Sequence, residues 1–158
     1  MATTQKMILV SECLYGGRTV RYDGVDVPLL DPVFLKWKEE GRLIPICPEV
    51  FGGLPTPRPD AQRRGDRIVT RDGADVTEAF RKGADEALRL ARESNVCLCI
   101  MKADSPSCGS RQIYDGTFSG QKTPGQGLTT ELLRSAGLPV FDETEIKAAT
   151  ALLNTPDG

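Results

Sequence analysis

The chain has 158 residues, enough for one domain with a sizeable core and no need of disulfide or metal staples. Its 20 basic and 22 acidic residues are interspersed, and the formal charge of −2 excludes a broad basic face, so nucleic acid is not expected as the main partner. The opening MATTQKMILV lacks the pattern of a secretory leader, and no apolar run reaches membrane-spanning length. A cytoplasmic protein with no membrane partner is expected.

In chain order, Met7–Ser11 (MILVS) reads as the first strand, apolar enough to be buried on both faces. After a loop from Glu12 to Val27, Asp31-Pro32 supplies an N-cap and first helical residue, Phe34, Leu35 and Trp37 an apolar face, and Gly41 a stop. Leu43–Cys47 (LIPIC) is the second strand. A long loop, Phe51 to Asp72, separates it from a helix beginning near Asp75. There Asp75 and Glu78 have capping-box spacing, and Phe80, Ala84, Leu88 and Ala91 follow at helical intervals. Val96–Met101 (VCLCIM) is the third strand and Leu138–Phe141 (LPVF) the fourth. Between them lie a loop from Lys102 to Gly127 and a helix from Leu128 to Ala136 closed by Gly137. A terminal helix runs from Glu143 to Leu153. This alternation predicts a single Rossmann-like α/β domain over 1–158: a mainly parallel four-stranded sheet flanked by helices, with long functional loops at its carboxyl edge.

The chain has five cysteines and no histidine. In a reducing compartment an odd set of thiols is free for metal or nucleophilic chemistry, and without imidazole any metal site must be built from sulfur and oxygen. Cys13 lies just past the first predicted strand, Cys47 at the end of the second and Cys108 in the loop after the third, each beside Gly, Pro or Ser, in SECLYGG, CPE and SPSCGS. Parallel strands bring their carboxyl ends to one edge, so the three can converge as metal ligands. Cys97 and Cys99 stand two apart within a strand and are expected to face one side of the core. No Cys-x-x-Cys pair argues for closed structural zinc, but spacing alone leaves both an iron–sulfur cluster and catalytic zinc on three sulfurs open.

Glu49 follows Cys47 with only Pro48 between, which keeps it near any metal there and makes it the leading general base or acid; Asp104 is the next candidate. Ser105, Ser107 and Ser110 surround Cys108, and the residues alone do not choose among them as the hydroxyl that orients a ligand. No glycine cluster matches a phosphate-binding loop, so a nucleotide cofactor has no motif support.

Five blocks in order, VSECLYGGRTVRYDG, LIPICPEVFGGLPTPRP, DVTEAFRKGA, KADSPSCGSRQIYDGTFSG and GQGLTTELL, resemble the bacterial domain-of-unknown-function family that includes the 2-thiouracil desulfidases. The resemblance spans residues 7–143, leaving 144–158 as terminal helix and tail. It implies a [4Fe–4S] cluster on Cys13, Cys47 and Cys108 with one iron not bound by protein, free to take sulfur from the substrate. It further implies that Glu49 is catalytic and that Ser105 is catalytic and substrate-binding. The implied reaction is non-redox, hydrolytic removal of sulfur from a thiolated uracil, releasing uracil and sulfide, with a small thiolated pyrimidine as partner. Competing readings are desulfuration of thiolated bases within RNA, and a non-catalytic iron–sulfur or zinc sensor. Glu12 and Tyr15 depart from the family's first block and are expected at the pocket wall, where substrate choice is made.

Overall fold

The apolar runs become strands of one parallel sheet because helices cover both of its faces. The computed structural model describes residues 6–16, 20–25 and 27–155; Gly17 of the Gly16-Gly17 pair, the centre of the first loop and both extreme ends lie outside the described residues. Strand β1 (Met7–Ser11) is followed by one helical turn, α1 (Glu12–Tyr15), and α2 (Pro32–Glu39) leads into β2 (Leu43–Ile46). Next come a short helix α3 (Pro48–Phe51), a hairpin of β3 (Ala61–Arg64) and β4 (Arg67–Thr70), the long α4 (Thr77–Glu93) and β5 (Val96–Ile100). A second hairpin, β6 (Gln112–Tyr114) with β7 (Lys122–Pro124), precedes α5 (Leu128–Ser135), β8 (Val140–Phe141) and α6 (Ile146–Leu153).

The main sheet has the order β2-β1-β5-β8, with every pair parallel, which is the α/β architecture expected. From β1 the chain goes to one neighbour, β2, and later returns on the other side as β5. That reversal opens a crevice above the carboxyl ends of β1 and β5, the usual place for a ligand in an open α/β sheet.

Alternation along β1 divides the core in two. Ile8 and Val10, with Leu98 and Ile100 of β5, pack on Phe34 and Trp37 of α2 and on Ile146, Ala149 and Leu153 of α6. Leu9, Cys99 and Met101 face the other way, onto Ala87 and Ala91 of α4 and Leu133 of α5. Complete burial of a side chain such as Phe34 contributes roughly 1.5–3 kcal/mol. Cys97 does not share the Cys99 face as expected. It packs half-buried against the first cluster, because the register slips between Met7↔Val96 and Ile8↔Leu98 and the bulge reverses the alternation there.

Several expectations at element ends need correction. Asp31 caps α2 as expected, its carboxylate accepting from the N–H groups of Val33 (2.8 Å) and Phe34 (3.2 Å), yet Leu35 is 40 % exposed rather than part of the buried face. The capping box of α4 is not formed. The helix starts at Thr77, so Asp75 lies too early and binds Thr77 N–H (2.9 Å) and Arg67 (2.5 Å), while Glu78 pairs with Arg81. Helix α6 starts at Ile146, not Glu143, whose carboxylate instead accepts from Lys102 Nζ (2.6 Å) and Ala103 N–H (2.8 Å). The long loops are also less irregular than expected, since each contains an antiparallel hairpin.

Helix α3 is pressed backbone to backbone against α4. A Cβ on Gly83 would lie 1.8 Å from Pro48 O, and one on Gly52 would lie 1.9 Å from Ala79 O. These glycines allow the first turn of α3, which begins just after Cys47 and carries Glu49, to be fixed by the longest helix of the fold.

Candidate active site

Each strand end delivers one part of the site. At the end of β1, the buried Ser11 accepts from Lys102 N–H through its Oγ (2.7 Å), tying β1 to the segment leaving β5; Cys13 follows in α1. At the end of β2, Cys47 is the residue preceding α3, with Pro48 in the first helical position and Glu49 in the first turn. Pro at that position suits a helix start, because its fixed φ is helical and the missing N–H would have had no partner.

Beyond β5, the segment Ser105 to Cys108 folds on its own hydroxyl. Ser105 Oγ accepts from the N–H groups of Ser107 (3.2 Å) and Cys108 (2.7 Å). The turn is then stitched to the start of α5, where Leu128 N–H donates to Pro106 O and Thr129 N–H to Ser107 O, both at 2.9 Å. Gly127 permits this approach: a Cβ there would stand 2.4 Å from the carbonyl carbon of Ser107.

Cys13, Cys47, Cys108, Glu49, Ser105, Ser107 and Asp104 all line one cavity of about 380 Å³ at this edge. Ser110 is buried but does not line it, and its Oγ has no hydrogen-bond partner among the described residues. Asp104 is paired with Lys122 Nζ at 2.9 Å. Glu12 and Tyr15 are not among the lining residues, contrary to expectation. Tyr15 packs on the core, with Lys38 Nζ 4.3 Å from its ring centre. Gln62 accepts from the N–H groups of Gly116 (3.0 Å) and Phe118 (3.2 Å), joining the two hairpins beside the cavity.

Sequence reasoning passed over Arg58. Its side chain is only 4 % exposed, and its Nε donates to Glu49 Oε1 at 3.1 Å while Nη1 donates to Pro55 O and Thr56 Oγ1, both at 3.1 Å. Glu49 Oε2 in turn accepts from Ser107 Oγ at 3.0 Å. The carboxylate is thus held from both sides. The only signal in the sequence was an arginine inside the otherwise uncharged LPTPRP, close after Glu49.

Burial pushes the thiol of Cys47 up to about 12, with the nearby Glu49 carboxylate adding to the rise. Cys108 is raised as well, chiefly by burial. Thiols this desolvated ionise readily only with strong positive charge beside them, as a bound metal provides. Cys99 is also pushed up to about 12 by burial, but it lies in the core away from the cavity, where an inert thiol is expected.

Fold and site together define an α/β protein whose chemistry-bearing side chains gather in a thiol-lined crevice at the switch point of a parallel sheet. A family model described as 2-thiouracil desulfurase matches residues 8–145, and the chain belongs to that family. It is 43 % identical over 150 residues to the uncharacterized protein YbbK of Bacillus subtilis (strain 168), an alignment covering 89 % of this chain and 97 % of the relative. It is also similar to a solved structure, the [4Fe-4S]-dependent thiouracil desulfidase TudS (DUF523Vcz). The TM-score is 0.89 at 45 % identity, covering 94 % of this chain and 98 % of the other.

Proposed function

We propose that the chain is a [4Fe–4S]-dependent desulfidase that removes sulfur from a small thiolated uracil in the cytoplasm. Cys13, Cys47 and Cys108 are its cluster ligands, and one iron has no protein ligand. The observation that carries this reading is the convergence of three thiols from three strand ends, together with a doubly held carboxylate, on one cavity in a chain of the desulfurase family. The near-neutral charge favours a free pyrimidine over RNA. No described helix is long and apolar enough to cross a membrane.

The donor set suits a thiophilic metal group: three thiols line one cavity in a chain without histidine, and burial raises those of Cys47 and Cys108 so that they ionise only beside positive charge. One zinc with sulfur ligands at about 2.3 Å would draw its three sulfurs to within roughly 4 Å of one another. A cluster takes one thiolate per iron and so accepts wider spacing.

When bound, the cluster supplies a thiophilic Lewis acid. The reaction exchanges C=S for C=O: the oxygen of water goes to the ring carbon and its two protons leave with sulfur, so no electrons are transferred. Glu49, immobilised at the cavity by Arg58 and Ser107, takes the proton of that water. Ser105 orients the ring. Both lone pairs of its Oγ are engaged by N–H groups, which leaves it one proton to give: to Ser107 Oγ at 3.1 Å, or to a ring acceptor when substrate is bound.

The test is sulfide release from 2-thiouracil by protein reconstituted with iron and sulfide without oxygen. Release is expected, and E49Q should keep the cluster's absorption while losing roughly 10²- to 10⁴-fold in turnover. Colourless protein holding stoichiometric zinc, with no sulfide released, would overturn the proposal. An intact cluster with near-normal turnover in E49Q would remove Glu49 from the mechanism and turn attention to Asp104.

A further inference from the structure

Three hydrogen-bonding groups converge on the hydroxyl of Ser107. Its Oγ lies 3.0 Å from Glu49 Oε2, 3.1 Å from Ser105 Oγ and 3.4 Å from Cys108 Sγ. The residue is only 2 % exposed, so protein groups rather than bulk water set its orientation. A serine hydroxyl has one proton to give and two lone pairs. Ser105 Oγ already accepts from two N–H groups, and toward Ser107 it can only donate. Ser107 therefore accepts from Ser105 and gives its own proton away. Of the two acceptors in reach, the carboxylate is closer and stronger than the sulfur. Arg58 holds the other carboxylate oxygen at 3.1 Å.

We infer that Ser107 is a positioning residue for the reaction: its hydroxyl, oriented by Ser105, fixes the carboxylate of Glu49 at the cavity opposite the hold of Arg58. This rests on the reading of Glu49 as the group that takes the proton of water. Ser107 touches no reacting atom and acts through Glu49. Its loss leaves the carboxylate tethered on one side only, free to swing about the Arg58 contact, and small misplacements of a reacting group are costly.

The experiment compares S107A, S107T and E49Q with the unchanged protein, as anaerobically reconstituted enzyme and as metal-free chain. S107A should load the cluster with an unaltered absorption spectrum, lower kcat by roughly 10- to 100-fold and leave KM within about threefold. S107T restores the hydroxyl and should recover most of the loss. In the E49Q background, S107A should cost almost nothing further, since the group it positions is gone. In the metal-free chain the infrared carboxylate band that E49Q removes should shift in S107A. Equal losses from S107A with and without E49Q would overturn the inference, as would an unmoved carboxylate band. A changed cluster spectrum beside an unmoved band would show that the hydroxyl serves Cys108 instead. Near-normal turnover in E49Q would overturn the reading of Glu49 and this inference together, whereas an inactive E49Q with an unmoved band overturns this inference alone.

Discussion

Replacing Gly83 by Ala places a methyl group where α4 carries Pro48 of α3 against its backbone. The new Cβ would stand 1.8 Å from Pro48 O and 2.5 Å from Pro48 C. Ordinary contact needs about 3.4 Å, so α3 must move away by roughly 1.5 Å, because the obstacle is backbone and cannot rotate aside. Two effects oppose each other. Ala gains about 1 kcal/mol over Gly in a helix interior. Overpacking against rigid backbone costs about 1–3 kcal/mol or more, and an overlap this deep belongs at the upper end. A net loss of roughly 2 kcal/mol is expected, read as a lower urea midpoint of the metal-free chain with an unchanged slope. The displacement also carries Cys47 and Glu49, which flank Pro48, so cluster content should fall and the remaining turnover should drop by about 10²-fold. K82A, on an exposed neighbour in the same helix, should be near neutral. A G83A protein with unaltered midpoint and full cluster content would refute the argument that this glycine seats α3.

Arg58 and Glu49 form a nearly buried pair, with side chains 4 % and 14 % exposed, so R58M should lose roughly 3–5 kcal/mol in urea unfolding by stranding a carboxylate. Adding E49Q to R58M should recover part of that; a double variant weaker than R58M would show that the pair does not compensate as described. Anaerobic reconstitution should give little or no cluster in C13S, C47S or C108S and a full complement in C99S, and equal loss in C99S would put the ligand set elsewhere. Asp75 is held at about 2, below its ordinary 3.8, first by the Thr77 hydroxyl and then by Thr77 N–H and Arg67. Its contribution is therefore complete above about pH 4 and lost as pH falls toward 2, so D75N should flatten the acid limb of the stability profile across that window. An unchanged limb would mean that the unfolded chain holds Asp75 equally low.

The elements legible in the sequence were those whose own composition decides their state. MILVS, LIPI and VCLCI are apolar runs with no alternative to a strand buried on both faces, and the order of strands and helices left a parallel sheet as the outcome. The hairpin β3–β4 was passed over because AQRR and RIVT lack a long apolar alternation; its turn signal, Gly-Asp between Arg64 and Arg67, was present. Helix α3 was missed because a four-residue helix has no periodicity to read.

By itself the sequence determined part of the cavity's lining: which thiols stand at or after strand ends, that no imidazole competes, and that only Pro48 separates Glu49 from Cys47. These are matters of adjacency along the chain. Only the tertiary structure decided that Ser105 and Ser107, but not Ser110, open on the cavity, that Arg58 closes on Glu49, and that Cys97 turns away from Cys99. A hydroxyl's direction, a buried arginine's partner and a bulge's reversal of alternation depend on groups distant in sequence meeting at contact range. Gly83 shows the difference most clearly: in DVTEAFRKGA it is only a weak helix residue, and its reason is the backbone of Pro48 pressed against the place where a side chain would be.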